Sequence, residues 1–252
     1  TLAAMVLDPS GTIKSNDLGH AFKDGVMALA SADLKIKPYG LPGHQNLTLA
    51  WSNKDRMSLS QDPSNIARLL LNERFPMLGN PGPILVEILE RFAPGLLVPA
   101  APLNRENKTW AAVYSFEQYL WQPAGDPKRG LGMFFSLGVS DGQANPIKYS
   151  YSLGVVGKGI VPARPHDDFG IGWARTTFSD DFVPFMRKTF DLGLRHEDAI
   201  ELYYNAAVTP ALSISPSLQI ISSALNRALD SNGNLKGLDT TYVAGVRVGI
   251  RF

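Results

Sequence analysis

The chain has no cysteine among its 252 residues. Disulfides, thiol nucleophiles and thiolate metal sites are therefore excluded. It has no excess of either charge: 24 Lys+Arg stand against 23 Asp+Glu, for a formal net charge of +1. That balance argues against a nucleic-acid partner. Charged residues make up only 19% of the chain, below the roughly 25% usual for soluble domains. Long apolar runs are missing too, since no stretch approaches the roughly 18 residues of a membrane helix. Residues 1 to 20 lack the basic and apolar regions of a signal peptide. Neither absence bears on β-barrels, which cross membranes with strands. The chain opens at Thr1 directly into apolar Leu2 to Leu7, as expected of a mature or truncated chain. Histidines number four, and no HExxH, calcium-loop or nucleophile-elbow motif is present. No catalytic residue, metal or cofactor is expected.

What is present is two-residue alternation, which sends successive side chains to opposite faces of a sheet. Leu131, Met133, Phe135, Leu137 and Val139 oppose Gly132, Phe134, Ser136 and Gly138. Tyr149, Tyr151, Leu153 and Val155 oppose Lys148, Ser150, Ser152 and Gly154. Ile200, Leu202, Tyr204, Ala206 and Val208 oppose Glu201, Tyr203 and Asn205. Leu212, Ile214, Leu218 and Ile220 oppose Ser213, Ser215, Ser217 and Gln219. In the last run, Tyr242, Ala244, Val246, Val248, Ile250 and Phe252 oppose Arg247, Gly249 and Arg251. Weaker versions at 1–7, 25–37, 45–52, 110–121 and 169–178 bring the total to about ten strands, most of a length that crosses a bilayer when tilted.

The connections separate a membrane barrel from a soluble sandwich. Long ones (8–24, 53–109, 179–197, 223–240) alternate with short ones (38–44, 122–130, 162–168, 209–211), and 141–147 is intermediate. Outer-membrane barrels keep short turns on the periplasmic side and long loops outside. The expectation is all-β: a transmembrane antiparallel β-barrel in one domain over 1–252, with 53–109 as a long, partly helical extracellular or lumen-folded loop. Within that loop Asn65 to Phe75 and Ile84 to Phe92 have helical apolar spacing, the second entered through Pro81 and Pro83. Two alternatives stay open: a plugged structural or adhesive barrel, and a soluble all-β carbohydrate-binding domain.

Several separate stretches carry a family resemblance. They are Trp110 with Glu117-Gln118-Tyr119-Leu120, Gly138-Val139-Ser140-Asp141-Gly142 with Asn145-Pro146, and Gly157-Lys158-Gly159-Ile160-Val161-Pro162-Ala163-Arg164-Pro165. Asp168-Phe169-Gly170-Ile171-Gly172-Trp173, Glu201-Leu202-Tyr203-Tyr204 and, upstream, Leu41-Pro42-Gly43 before Leu47 to Trp51 complete the set. In this order the chain resembles the carbohydrate-selective porins of the OprB type. The resemblance implies a sixteen-stranded outer-membrane channel of a Gram-negative bacterium, of which about ten strands are visible here, so the chain reads as the C-terminal portion of a longer porin. It implies sugar and ion transport by passive diffusion, contact with outer-membrane lipid and lipopolysaccharide, a homo-oligomer as one open state, and delivery to the barrel-assembly machinery through the terminal Phe252.

On this reading the polar series lines the lumen: Asp33, Lys35, Lys37, Glu117, Tyr119, Lys148, Lys158, Glu201, Tyr203, Asn205, Gln219, Arg247 and Arg251. The candidate sugar contacts among them are Glu117, Tyr119, Lys148, Glu201, Tyr203, Asn205, Gln219 and Arg247. A lining of mixed charge does not build the single-sign ring of an ion-selective pore. It suits hydroxyl-rich solutes, whose lost water is replaced by paired donors and acceptors while aromatic faces cover their C–H surfaces. Each lumen charge also has a plain reading as a solvated wall residue or a cross-strand partner. Arg164, His166, Asp167 and Asp168 are expected to pin a periplasmic turn. Trp51, Trp110, Tyr149 and Trp173 read as an aromatic girdle, and Arg175 as a snorkelling side chain.

Overall fold

The computed structural model describes residues 1–9, 21–62, 65–66, 69, 73–74, 82–92, 94, 101–182, 184, 187, 191–231 and 233–251. The alternating runs form ten long strands: β1 (Leu2–Leu7), β2 (Met27–Ile36), β3 (Gly43–Ser52), β6 (Thr109–Trp121), β7 (Gly130–Ser140), β8 (Ile147–Lys158), β9 (Asp168–Phe178), β10 (His196–Thr209), β11 (Leu212–Ser222) and β14 (Thr241–Ile250). They make one antiparallel sheet in the order β1-β2-β3-β6-β7-β8-β9-β10-β11-β14, each pairing with its predecessor in that list. Two short hairpin ladders sit in the connections: β4 (Arg56–Met57) with β5 (Arg105–Glu106), and β12 (Arg227–Leu229) with β13 (Leu235–Gly237). The helix α1 (Pro83–Phe92) starts at the proline as expected of an N-terminal Pro. Of the expected helix at Asn65 to Phe75 only residues 65–66, 69 and 73–74 are described, and those are helical; the rest lies outside the described residues, as do His20 and Phe252.

The sheet is built inside out relative to a soluble protein. Among the described residues the only buried hydrophobic side chains are Leu89 and Ala224, while leucines, valines and isoleucines along the strands are exposed. Leu49, Leu153, Ile171 and Leu202 are each about half exposed, at 46–51%. A soluble sandwich packs such residues between two sheets; among the described residues no second sheet covers them. An apolar face of this kind is what a membrane barrel turns to lipid. No helix among the described residues is long and apolar enough to cross a membrane.

Direct strand partners share a face, so the register defines two surfaces. The outward one carries Trp51 opposite Trp110, and Tyr151 edge-on to Trp173 with ring centroids 5.3 Å apart. With Tyr149 and Tyr242 these form a band at the long-connection end; Trp121 and Tyr204 lie at the other end. Two aromatic bands flanking an apolar belt match the girdles of outer-membrane barrels.

The short connections 37–42, 122–129, 159–167 and 210–211 all fall at one end, and 8–26, 53–108, 141–146, 179–195 and 223–240 at the other. The 159–167 turn needs glycine at its start: Gly159 has φ +61°, and a Cβ there would meet the Pro165 carbonyl at 2.6 Å. The root of the 53–108 segment is tied to its neighbours by Ser58 N–H donating to Asn104 O (2.9 Å), Leu59 N–H to Gln143 O (2.7 Å), and Asn65 exchanging two side-chain bonds with the Ala101 backbone. Pro216 lies inside β11, where it cannot donate to the ladder. The β10–β11 register has no partners between Tyr203↔Ser217 and Ala206↔Ile214, and there the side chains bond instead, Ser215 Oγ donating to Asn205 Oδ1 at 2.7 Å.

Candidate functional site

The inward face curves enough that residues from β2 to β9 line one cleft of about 770 Å³ near the short-turn end. Lys35 on β2, His44 on β3, Glu117 and Tyr119 on β6, Phe134 on β7 and Lys158 on β8 all border it, with Asp168 at its far side. Cross-strand pairing places them: Lys35 opposes His44, His44 opposes Glu117, and Glu117 opposes Phe134. The charges are interleaved in sign. His44 Nε2 lies 2.6 Å from Asp33 Oδ2, and Lys158 is paired in register with Asp168.

A second cleft of about 430 Å³ adjoins Lys158, His166, Asp168, Asn205 and Arg251. Asn205 is engaged on both sides of its amide: Nδ2 donates to Asp168 Oδ2 at 2.8 Å while Oδ1 accepts from Ser215. Its amide therefore acts as a cross-strand tie. Tyr203 lies over Gly170, with its Cε1 2.6 Å from where a Cβ would stand. Glu201 opposes Gly172 on one side and Gln219 on the other, and Arg247 opposes Ser215.

Of the eight residues singled out in the sequence, Glu117 and Tyr119 share the first cleft and Asn205 borders the second. Glu201, Tyr203, Gln219 and Arg247 sit on the same inward face further round the sheet. Lys148 stands apart: it sits at a register shift between Ile147 and Tyr149 at the long-connection end, its stem covering Gly142 and its Nζ 5.7 Å from the Tyr149 ring centroid. Sequence alternation did not single out Phe134, which looked like one more wall residue, nor His44, assigned to a turn. His44, Asp168 and His196 each prove to be strand residues at the first or second position of β3, β9 and β10. Alternation marks strand interiors well and their ends poorly, because end residues need the neighbouring strand to declare them paired.

The short turn before β9 is pinned by Asp167, whose side chain is 6% exposed. Its Oδ2 accepts from Arg164 Nε (2.7 Å) and from the Tyr204 hydroxyl, and its Oδ1 accepts from the Ala207 N–H (2.9 Å). Burial alone would push this carboxyl up; the guanidinium, the phenol and the amide together hold it below its ordinary value of 3.8. The expected turn-pinning role thus centres on Asp167, while Asp168 belongs to the wall of the lumen face. On the outward face Arg175 meets Asp198 through two bonds (2.7 and 2.8 Å), and Trp173 Nε1 donates to the same carboxylate at 3.0 Å. Among the described residues no group of three or more His, Asp or Glu side chains could hold a metal ion.

Over residues 2–252 the chain matches the family described as Carbohydrate-selective porin, OprB family. It is 33% identical to Porin B of Pseudomonas aeruginosa over 145 residues, covering 52% of this chain and 30% of that protein. The high-pH structure of OprB from Pseudomonas putida superposes with a TM-score of 0.62 at 24% identity, covering 93% of this chain and 52% of that one, a likeness of fold. The chain thus spans about half the length of that structure.

Proposed function

This chain belongs to the OprB family of carbohydrate-selective porins, proteins of the Gram-negative outer membrane, and on that premise we propose that it forms part of a channel for passive diffusion of carbohydrates into the periplasm. The observation that carries the reading is the contrast of the two faces: an apolar outward surface suited to lipid, and a concave inward surface of mostly small, hydroxyl and mixed-charge side chains. Interleaved signs such as Lys35, Glu117 and Lys158 supply donors and acceptors for sugar hydroxyls without a net field that would select one ion. The candidate contacts are Glu117, Tyr119, Glu201, Tyr203, Gln219 and Arg247, with Asn205 shaping the wall and Lys148 near the outer rim. Binding along the wall must be weak enough for release, so flux follows the gradient and needs neither cofactor nor energy.

The short turns face the periplasm and the long connections face outward, as in barrels of this class. The whole chain forms one barrel domain, the 53–109 segment folds across the outer mouth or into the lumen, and Phe252 serves assembly. Pairing with further copies in a homo-oligomer would involve the outward face.

The test is swelling of liposomes carrying the whole protein in iso-osmotic glucose, oligosaccharides and amino acids. Faster entry of monosaccharides than of amino acids of similar size is the expected result. Equal rates would indicate a general porin, and no swelling from a folded barrel would indicate a plugged structural protein; either overturns the proposal.

A further inference from the structure

One aromatic side chain of the inward face lies over glycines on two successive strands and borders the first cleft. Reading across the sheet at the level of Glu117, direct partners run Glu117, Phe134, Gly154, Gly172, Glu201. Beside Phe134 two successive strands therefore offer only glycine. The ring leans over them: its Cε1 and Cζ lie 2.6 Å from where a Cβ on Gly154 would stand, and its Cζ 3.5 Å from the corresponding point on Gly172. A side chain at Gly154 would occupy the space the ring fills. With that space free, the ring reclines along the hydrogen-bonding direction over the two glycines, and Phe134 lines the first cleft.

The neighbouring level repeats the device. Tyr119 rests against Gly130, its Cδ1 and Cε1 2.9 Å from the Cβ position, and Tyr203 rests on Gly170. Three rings thus lean on glycine across β6 to β10, on a face whose other side chains are mostly small or polar, with Val156 among the exceptions. On the side toward the long connections the next level is Ser115, Ser136 and Ser152, mutually paired across three strands. Glu117 stands on the strand before Phe134, roughly 4.8 Å away backbone to backbone, on the side from which the ring leans away, so its carboxylate borders the cleft beyond the ring's root. A flat apolar face bordered by hydroxyls and a carboxylate complements a pyranose, whose axial C–H bonds form one flat apolar surface and whose hydroxyls point outward from its edge.

We infer that the Phe134 ring, laid flat by Gly154 and Gly172, is a stacking platform that binds the C–H face of a pyranose at the periplasmic end of the channel, with Glu117 accepting from its hydroxyls. This rests on the carbohydrate-channel reading and adds a specificity to it. A cyclic sugar in the pyranose form presents the flat face; an open-chain hexitol of nearly equal hydroxyl count does not. The platform therefore selects ring sugars over their acyclic counterparts, a distinction that pore width and hydrogen bonding alone do not make.

The experiment is sugar-induced block of ion current through the whole protein in planar bilayers, comparing glucose with sorbitol. Wild type should bind glucose several-fold more tightly than sorbitol. Phe134→Leu, which keeps apolar bulk but removes the ring face, should weaken glucose about tenfold and sorbitol little, erasing the preference, while Phe134→Trp restores it. Gly172→Val, where a Cβ meets the ring tip at 3.5 Å and no backbone closer than 3.6 Å, should give the same loss with the ring still present, because the added methyls crowd the ring from its place. Phe169→Leu is the control: Phe169 lies on Gly157 in the same manner but on the outward face, and its loss should not move sugar affinity. Ion conductance through each variant verifies a folded pore. Glucose affinity and preference unchanged in Phe134→Leu overturns the platform alone. A wild-type pore that conducts ions yet shows no block by any sugar overturns the carbohydrate reading and the platform with it.

Discussion

The outward and inward faces of the sheet share every strand, yet they handle charge by opposite rules. On the outward face Arg175 and Asp198 are locked together by a fork of two bonds, Trp173 donates to the same carboxylate, and the Trp173 ring lies 5.6 Å from the guanidinium carbon. On the inward face Glu117, Glu201, Lys158 and Arg247 are exposed and spread over four strands. The difference follows from what each face meets. Water solvates an exposed charge at little cost, whereas hydrocarbon cannot, so a charge on the lipid side must bring its partner and sit near the interface. Polarity on the lumen face is therefore free to vary with function, and polarity on the lipid face is bound by stability.

The sharpest way to break the comparison is to put one charge on each face at the same depth. Leu202→Arg, in the middle of β10 on the outward face, should cost about 2–4 kcal/mol and abolish the folded, heat-modifiable band in gels. Ser152→Arg on the inward face should fold normally and alter conductance. A smaller effect is expected from Arg175→Met, which strands Asp198 without its fork; urea unfolding in bilayers should show a loss of about 1–3 kcal/mol, mostly recovered in the double variant with Asp198→Leu. If the single and double variants were equally destabilised, the ion pair would not be what makes this charge tolerable.

Acid should weaken the short-turn end. Asp167 is held below 3.8 in the folded state, so the unfolded chain takes up its proton first as pH falls. The stabilisation is complete above about pH 3.8 and is lost as pH drops through the depressed folded value. Unfolding midpoints should be flat from pH 7 to 5 and decline below 4, and Asp167→Asn should make that decline shallower while lowering the plateau. The smallest effects belong to single contacts on the inward wall: Glu117→Ala, Tyr119→Ala and Arg247→Ala should each shift sugar affinity by a few-fold, under about 1.4 kcal/mol, with the fold intact. His166→Ala should leave affinity unchanged, since its neighbour Asp167 does the pinning.

Much of this architecture was readable from residue order. The five clearest alternating runs, from Leu131 to Val139 through Tyr242 to Phe252, mark β7, β8, β10, β11 and β14 to within a few residues, because a strand with lipid on one side and water on the other has the strictest two-residue pattern available to it. Lys35, Glu117, Tyr119 and Lys158 could be assigned to the polar face on the same ground. His44, Asp168 and His196 were misassigned to connections, since a polar residue at a strand end looks like a turn until its partner is known. Phe134 escaped notice for another reason: its meaning depends on glycines on the next two strands, at Gly154 and Gly172, which are distant in sequence and adjacent only in register.

What the sequence determined by itself is which side chains share a face, because alternation is a local property of extended backbone and does not depend on what the strand pairs with. The tertiary structure alone decided who lies beside whom. Register and sheet curvature are long-range outcomes of turn geometry, the Gly159 turn and the Asp167 anchor among them. They placed the Phe134 ring over two glycines and gathered Lys35, Glu117 and Lys158 around one cleft.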